Sequence, residues 1–179
     1  MTDTAQTCTA DNTDALREEI IQYMPHLRGI ARLLARDRAL AEDLVQETML
    51  RAISHAHQFQ PGTNMKAWLT TILRNSYFNE KRSQRRLAEF SSSTAGRVTV
   101  ARGQQEHRLQ MRDLRRAMVH LPETQREALA LVGASGYSYE EAAKMTGCAV
   151  GTMKSRVSRA RFELQSLLDG GGTALPSAM

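Results

Sequence analysis

The sequence is poor in cysteine. Its two cysteines, Cys8 and Cys148, are far apart, and neither belongs to a CxxC motif or to a cluster with histidine. A disulfide framework and a structural zinc site both need cysteines at characteristic spacings. We therefore expect two reduced thiols, no metal and no cofactor.

The chain also lacks a long apolar run. A membrane-spanning helix needs about 20 consecutive apolar residues, and charged or polar residues interrupt every stretch of that length. The first residues have no basic start followed by an apolar segment, so no export signal is visible. These absences predict a globular protein that is not inserted in a membrane and that stays in the cytoplasm. Its net charge of +5 favours an anionic partner, but the placement of the charge matters more than its sum.

Apolar residues recur at three- and four-residue steps along most of the chain, and strand-like alternation of useful length is missing. The pattern predicts an all-α fold. The expected helices cover residues 13–36, bent or split at Pro25, then 39–56 and 64–85, a stretch around Leu109 to Leu121, and finally 122–133, 138–146 and 150–168.

The apolar period disappears in the middle of the chain, in a stretch rich in serine, threonine and glycine. Such a composition is typical of a flexible linker. We predict two small helical domains, residues 13–86 and 105–168, joined by a linker over residues 87–104. The end segments, 1–12 and 169–179, are predicted to be disordered.

Residues 137–157 have the layout of a helix-turn-helix. Ser138 and Glu141 are spaced as a capping box, and Gly147 permits a tight turn before the second helix. The side chains of that helix predicted to face the core are Met153, Val157, Ala160, Leu164, Leu167 and Leu168. The opposite face carries Thr152, Lys154, Ser155, Arg156, Ser158, Arg159 and Arg161. Such a face can be merely solvated, but in a helix-turn-helix it indicates a reader of the DNA major groove.

The helix over residues 39–56 has two unlike faces. Ala41, Val45, Met49 and Ala52 lie on one side, and the other side carries Asp43, Gln46, Glu47 and Leu50. DNA phosphates would repel this acidic face, which suits a basic protein partner; the alternative is a solvated face with one exposed leucine. Neither acid has a histidine three or four residues further on, so nothing indicates a metal site or an acid–base pair. We expect no enzyme activity.

The third predicted helix is basic. Trp68 has the spacing of a core residue, although an aromatic side chain can also stack on a base. The cations placed to hold a phosphate backbone are Arg74, Lys81, Arg82, Arg85 and Arg86. The preceding loop, from His57 to Asn64, carries amide groups and the aromatic Phe59, and such a loop can capture an unstacked base.

Four segments together resemble the extracytoplasmic-function sigma factors. They are Ala41 to Thr48, Ala67 to Leu69 with Asn75 and Asn79, Leu121-Pro122 with Gln125-Arg126, and Val150 to Arg161. Residues 59–68 and 132–143 are most similar to the alphaproteobacterial general-stress group. In that group a small anti-sigma protein sequesters the factor until a phosphorylated mimic displaces it. A membrane-anchored anti-sigma partner is the alternative within the family.

The resemblance implies a factor that directs promoter-specific initiation by RNA polymerase, contacting the β′ clamp helices and the β flap. The residues implied to dock on the clamp helices are Asp43, Gln46, Glu47 and Leu50. Those implied to bind the minus-10 element as a single strand are Phe59, Gln60, Thr63, Asn64, Lys66 and Arg74. Those implied to read the minus-35 duplex are Thr152, Lys154, Ser155, Arg156, Ser158 and Arg159. Ser158 departs from the family, in which a bulkier residue is frequent.

Two other functions fit parts of the sequence. A helix-turn-helix regulator without a sigma role would use residues 138–162 equally well but would leave the acidic face idle, and no receiver-like βα repeats precede it. A decoy that only binds an anti-sigma protein would have no need of a basic recognition helix.

Overall fold

The computed structural model describes residues 16–35, 37–90 and 106–169. Its α-helices are residues 16–22 (α1), Met24–Leu34 (α2), Arg38–Ser54 (α3), Met65–Phe90 (α4), Glu106–His120 (α5), Glu123–Leu129 (α6), Tyr139–Thr146 (α7) and Val150–Asp169 (α8). A short 3-10 helix, Ala56–Gln58, lies between α3 and α4. No strand occurs in this part of the chain, and the all-α prediction is confirmed. The predicted disordered segment 1–12, and the predicted linker and tail over residues 91–104 and 170–179, lie outside the described residues. The linker was predicted to begin at residue 87 and the tail at residue 169, but residues 87–90 and 169 are helical, which corrects these two boundaries.

The described residues fall into two compact units. Residues 16–31 and 37–90 form the first unit, and residues 32–35 and 106–169 form the second.

The core of the first unit forms where α3 packs on α4. The α3 residues predicted to face the core are all buried, namely Ala41, Val45, Met49 and Ala52. From α4, Leu69, Leu73 and Tyr77 contribute fully buried side chains. Burial of a large apolar side chain is worth about 1.5 to 3 kcal/mol. This packing therefore determines which face of α3 remains outside.

The first predicted helix is split into α1 and α2 close to Pro25, as expected from the position of this proline. α1 ends at residue 22, Tyr23 forms a turn, and α2 begins at Met24. Pro25 has no N–H to donate, and its ring would clash with the carbonyl four residues earlier in a continuous helix. The Tyr23 N–H instead donates to the Ile20 carbonyl at 3.2 Å, which is a tighter turn.

α3 begins one residue earlier than predicted. Asp37 is its N-cap, and the carboxylate accepts from the Ala39 N–H at 3.0 Å and the Leu40 N–H at 3.4 Å. Two otherwise unpaired helix donors are satisfied in this way.

α4 is longer than predicted. The apolar period ends near Arg85, but the helix continues to Phe90. Residues 82–87 are all exposed, so no core contact marks this part of the helix in the sequence. Arginine, glutamine and leucine have high helix propensity, and neither glycine nor proline interrupts the segment. Propensity thus extends the helix beyond the point where periodicity can detect it.

α8 forms the centre of the second unit, where it packs against α5, α6 and α7. Met153, Val157 and Ala160 are buried, and the last of these packs with Met118 and Leu121. The predicted core face is therefore confirmed in the first three turns of α8. Leu168 is 44% exposed, which corrects its assignment to the core. A regular apolar period can continue past the last residue that has a packing partner.

The helix-turn-helix is built as predicted. The Ser138 hydroxyl accepts from the Glu141 N–H at 3.1 Å, and the Glu141 carboxylate accepts from the Ser138 N–H at 2.8 Å. Gly147 ends α7 with φ of 67°, in the left-handed region where a side chain is strained. These two features fix the start and the end of α7, and with them the direction in which the chain enters α8.

A π-helical turn, Ala130–Ala134, follows α6 and was not predicted. The Ser135 N–H and hydroxyl both donate to the Ala130 carbonyl, at 3.0 and 2.9 Å. One serine therefore closes the wider turn, in which backbone bonds span five residues.

Candidate nucleic-acid interface and docking surface

One face of α8 carries the side chains predicted to contact DNA. The exposed members are Thr152, Lys154, Ser158, Arg159 and Arg161. Ser155 and Arg156 are half-buried at the border of this face. Because Met153 and Val157 anchor the opposite face in the core, α8 presents its donors outward from a fixed helix. Base edges and phosphates require donors placed in this way.

Three residues of this face are joined by hydrogen bonds. The Ser155 hydroxyl donates to the Thr152 carbonyl at 2.9 Å. Arg159 Nη2 donates to Ser155 Oγ at 3.1 Å, and its Nε donates to the Ser155 carbonyl at 3.3 Å. The guanidinium group therefore lies along the helix in the free protein.

Lys154 lies near an aromatic ring from the neighbouring helix. Its Nζ is 5.8 Å from the centre of the Tyr139 ring, within the range of a cation–π contact. Tyr139 is the first residue of α7, directly after the cap. Sequence reasoning missed this residue, because an aromatic at the start of a helix has no special meaning until α7 and α8 are seen together.

A hydrogen-bonded turn precedes α4. Pro61 and Gly62 occupy its central positions, and Gly62 has φ of 85°, as a type II turn requires. The Thr63 N–H and hydroxyl both donate to the Gln60 carbonyl, at 3.2 and 2.7 Å. The turn holds the side chains of Gln60 and Thr63 in exposed positions.

Asn64 ends this loop and caps α4. Its side-chain oxygen accepts from the Ala67 N–H at 3.0 Å. Because the cap uses only the oxygen, the two donors of the amide nitrogen take no part in it, and the residue is exposed. A fixed amide of this kind can donate to the edge of an unstacked base.

Phe59, an aromatic of the loop that the resemblance implies binds the minus-10 strand, is buried and not exposed to solvent. The residue is 9% exposed, and the centre of its ring lies 5.3 Å from that of Trp68. Two aromatic rings gain more by burial against each other than by remaining in water. Phe59 therefore anchors the loop to α4, and the half-buried Trp68 serves as its support.

The acidic stripe, Asp43, Gln46, Glu47 and Leu50, is exposed on α3. Leu50 is 68% exposed. Glu47 forms an ion pair with Arg51, with Oε1 to Nη2 at 2.6 Å. A pair on two half-exposed side chains is worth about 0.2 to 1 kcal/mol, too little to withhold the carboxylate from a partner. An apolar side chain inside a polar rim is the usual composition of a protein interface.

The cations of α4 follow the helix. Arg74 lies 4.8 Å from the centre of the Phe78 ring, and Lys81 Nζ lies 5.9 Å from that of Tyr77. The three arginines nearer the end of the helix are exposed, namely Arg82, Arg85 and Arg86. The helix thus forms a basic strip that starts beside the loop.

Lys66, in the first turn of α4, influences a histidine of α2. The pKa of His26 is lowered from its usual value of 6.5, chiefly by burial and secondly by the positive charge of Lys66. The neutral imidazole is therefore the favoured form beside this lysine.

No group of three or more histidine, cysteine or acidic side chains that could hold a metal ion occurs in residues 16–35, 37–90 and 106–169. Within the same residues, no helix is both long and apolar enough to cross a bilayer.

Comparison with known proteins assigns both units. Residues 20–87 match the family model for Sigma-70 region 2, and residues 111–164 match that for Sigma-70, region 4. Over 156 residues the chain is 48% identical to the ECF RNA polymerase sigma factor EcfG of Rhodopseudomonas palustris, covering 87% of this chain and 86% of the relative. The chain belongs to the ECF RNA polymerase sigma factors. The family resemblance drawn from the sequence is confirmed.

Other sigma factors are similar to the chain over most of its length. The RNA polymerase sigma factor CarQ of Myxococcus xanthus is 32% identical, over 87% of this chain and 90% of the relative. Among solved structures, the sigma factor RpoE in complex with the anti-sigma factor NepR from Bartonella quintana is 43% identical with a TM-score of 0.78, covering 85% of this chain and 95% of that one. CnrH in complex with the cytosolic domain of CnrY is 25% identical with a TM-score of 0.65, covering 93% and 95%.

The family assignment gives the two units their function. A sigma factor binds the RNA polymerase core and directs it to promoter DNA. Region 2 of this sigma factor contains the acidic stripe and the loop before α4, and region 4 contains the helix-turn-helix.

Proposed function

We propose that this sigma factor docks on the β′ clamp helices through the acidic stripe, holds the minus-10 strand at the loop before α4 and reads the minus-35 duplex with α8. It acts in the cytoplasm and has no enzyme activity of its own. The observation that carries the proposal is the separation of charge. An acidic surface with an exposed leucine lies on region 2, and the outward face of α8 is basic in region 4.

The minus-10 assignment is supported by the loop before α4. Gln60, Thr63 and Asn64 are exposed and carry amide or hydroxyl groups on a hydrogen-bonded turn. Lys66 and Arg74 follow on α4, where they can meet the phosphates of the same strand. Aromatic residues make up only 5% of the chain, and Phe59 is buried. Strand capture by polar groups, rather than wedging by exposed rings, is the mode that these residues support.

An anti-sigma protein is the proposed regulator. The relative at 43% identity was solved with the anti-sigma factor NepR, and the relative at 48% identity is the factor EcfG. We infer from these two that an anti-sigma protein controls this sigma factor. The similarity of residues 59–68 and 132–143 to the general-stress group supports stress-response genes as those that it transcribes.

Transcription from purified components tests the proposed function. Core polymerase with this protein is expected to start RNA synthesis at defined positions on genomic DNA, and sequencing of the RNA 5′ ends would reveal the promoter elements. Core polymerase alone is the control. If the protein binds duplex DNA by itself but adds no specific start sites, a helix-turn-helix regulator is the better description. If it binds an anti-sigma protein and supports no transcription even at excess core, it is a decoy.

A further inference from the structure

Ser155 has already used its hydroxyl proton inside the protein. A serine hydroxyl has one donor and two acceptor lone pairs, and the donor points to the Thr152 carbonyl at 2.9 Å. Two acceptor lone pairs remain, and Arg159 Nη2 donates to one of them at 3.1 Å. In this arrangement Ser155 has no proton to offer to an acceptor on a base or a phosphate. Its half-buried position at the border of the face agrees with a role behind the contact surface.

Arg159 keeps enough donors for a base after bonding to Ser155. A guanidinium group has five N–H donors, and two of them, one on Nε and one on Nη2, point to Ser155. Both donors of Nη1 and one of Nη2 remain. A bidentate contact to the O6 and N7 atoms of guanine needs two. The Ser155 bonds therefore restrict the flexible side chain without occupying the donors that recognition uses.

We infer that Ser155 is a positioning residue, which orients Arg159 toward a guanine of the minus-35 element and does not itself contact DNA. This inference rests on the proposed function, because it assumes that α8 reads the duplex. Among the residues expected at the minus-35 element, Ser155 acts through another side chain and the others touch DNA.

Ser166 offers a matched control. It is an exposed serine of the same helix, and it lies outside this hydrogen-bond network and outside the set of residues expected to contact DNA. Alanine in place of either serine changes helix propensity by a similar amount. A difference between Ser155→Ala and Ser166→Ala in specific recognition therefore reports on the bonds to Arg159.

The test uses holoenzyme assembled from core polymerase and the full-length protein. Its promoter is first located by sequencing the 5′ ends of the RNA that wild-type holoenzyme makes. Each minus-35 guanine is replaced in turn by 7-deazaguanine, which lacks the N7 acceptor. Arg159→Ala should weaken promoter binding about tenfold and remove discrimination at one guanine. Ser155→Ala should weaken promoter binding about threefold, and this loss should depend on the same guanine. Ser155→Thr, which keeps a hydroxyl able to bond within the helix, should behave as wild type.

The double variant decides between positioning and direct contact. If Ser155 acts through Arg159, adding Ser155→Ala to Arg159→Ala causes no further loss. A further threefold loss in that background would show that Ser155 touches DNA and would overturn the inference while leaving the proposed function intact. Unchanged guanine discrimination in Arg159→Ala would overturn it as well, although promoter-dependent transcription by the wild-type protein would still support the sigma role. Equal melting temperatures of all variants exclude unfolding as the cause.

Discussion

At the scale of single residues, two glycines of the helix-turn-helix have opposite conformational requirements. Gly147 has φ of +67°, whereas Gly151 lies within α8 without a positive φ, and a Cβ added at either would meet nothing within 4 Å. Both positions therefore have room for the methyl group of an alanine. Any difference between their alanine variants arises from the backbone.

We expect Gly147→Ala to lower the free energy of unfolding by about 1 to 2 kcal/mol, because a side chain is disfavoured in the left-handed region. Gly151→Ala should instead raise it by about 0.5 kcal/mol, because alanine loses less backbone freedom in a helix. Urea unfolding of the two variants beside the wild type measures both effects. Effects of the same sign would contradict this account of the turn.

His26 predicts a pH dependence of stability. The unfolded chain titrates this histidine near 6.5, and burial, with Lys66 as the second cause, lowers the pKa in the folded protein. At a pH between these two values, His26 is protonated in the unfolded state and neutral in the folded state. The contribution of His26 to the free energy of unfolding is therefore fully present above pH 6.5 and is lost as the pH falls toward the lowered pKa. His26→Gln should flatten this slope in urea unfolding between pH 7.5 and 5. If His26→Gln shows the same slope as the wild type, His26 is not the source of the pH dependence.

At the scale of elements, sequence periodicity located the segments that pack, but it predicted neither the exposed end of α4 nor the widened turn after α6. The buried faces of α3 and α8 follow from the helical period, because the side of a helix on which a residue lies depends only on its position. The exposed end of α4 and the π-helical turn after α6 lack such a signal. Their extents depend on helix propensity and on Ser135 closing a wide turn.

The candidate site likewise has features that were predictable from the sequence and features that were not. Exposure of the acidic stripe and of Lys154, Arg159 and Arg161 was predictable from spacing alone. The Ser155–Arg159 bonds depend on rotamers, and the contact of Lys154 with Tyr139 depends on how α7 meets α8. The burial of Phe59 depends on Trp68 being within reach across the turn. The i, i+4 spacing permits the Ser155–Arg159 bonds without determining them, and the other two contacts are not encoded in a local pattern.

The basic strip of α4 yields a prediction about salt. If Arg82 and Arg86 contact phosphates, replacing either by glutamine should weaken promoter binding by a similar factor on all sequences. Each change should also reduce the slope of log affinity against log salt concentration by about 1. Arg38→Gln, at an exposed arginine of α3, is the control for loss of a positive charge elsewhere in region 2. A loss confined to one promoter sequence would indicate base contact instead of phosphate contact.

At the scale of the whole molecule, the net charge of +5 conceals two surfaces of opposite sign. A uniformly basic protein would bind DNA and polymerase through the same electrostatic attraction. Every lost negative charge would then strengthen its affinity for DNA and its affinity for polymerase. The acidic stripe predicts that the two affinities respond differently to the same substitution. A charge reversal in region 2 can therefore distinguish specific docking from general attraction.

Glu47→Lys provides that reversal. It raises the net charge by two, so nonspecific binding of the free protein to duplex DNA should be unchanged or slightly stronger. Affinity for core polymerase should nevertheless fall, by about 1 to 3 kcal/mol, because a lysine beside Arg51 would face a basic partner. Competition for core polymerase and fluorescence anisotropy on duplex DNA measure the two quantities. Glu19→Lys, at an exposed acid of α1, is the control with the same change in charge. If both variants lose core affinity equally, net charge and not the stripe governs docking, and the separation of charge between regions 2 and 4 would no longer explain how this sigma factor holds polymerase and promoter at once.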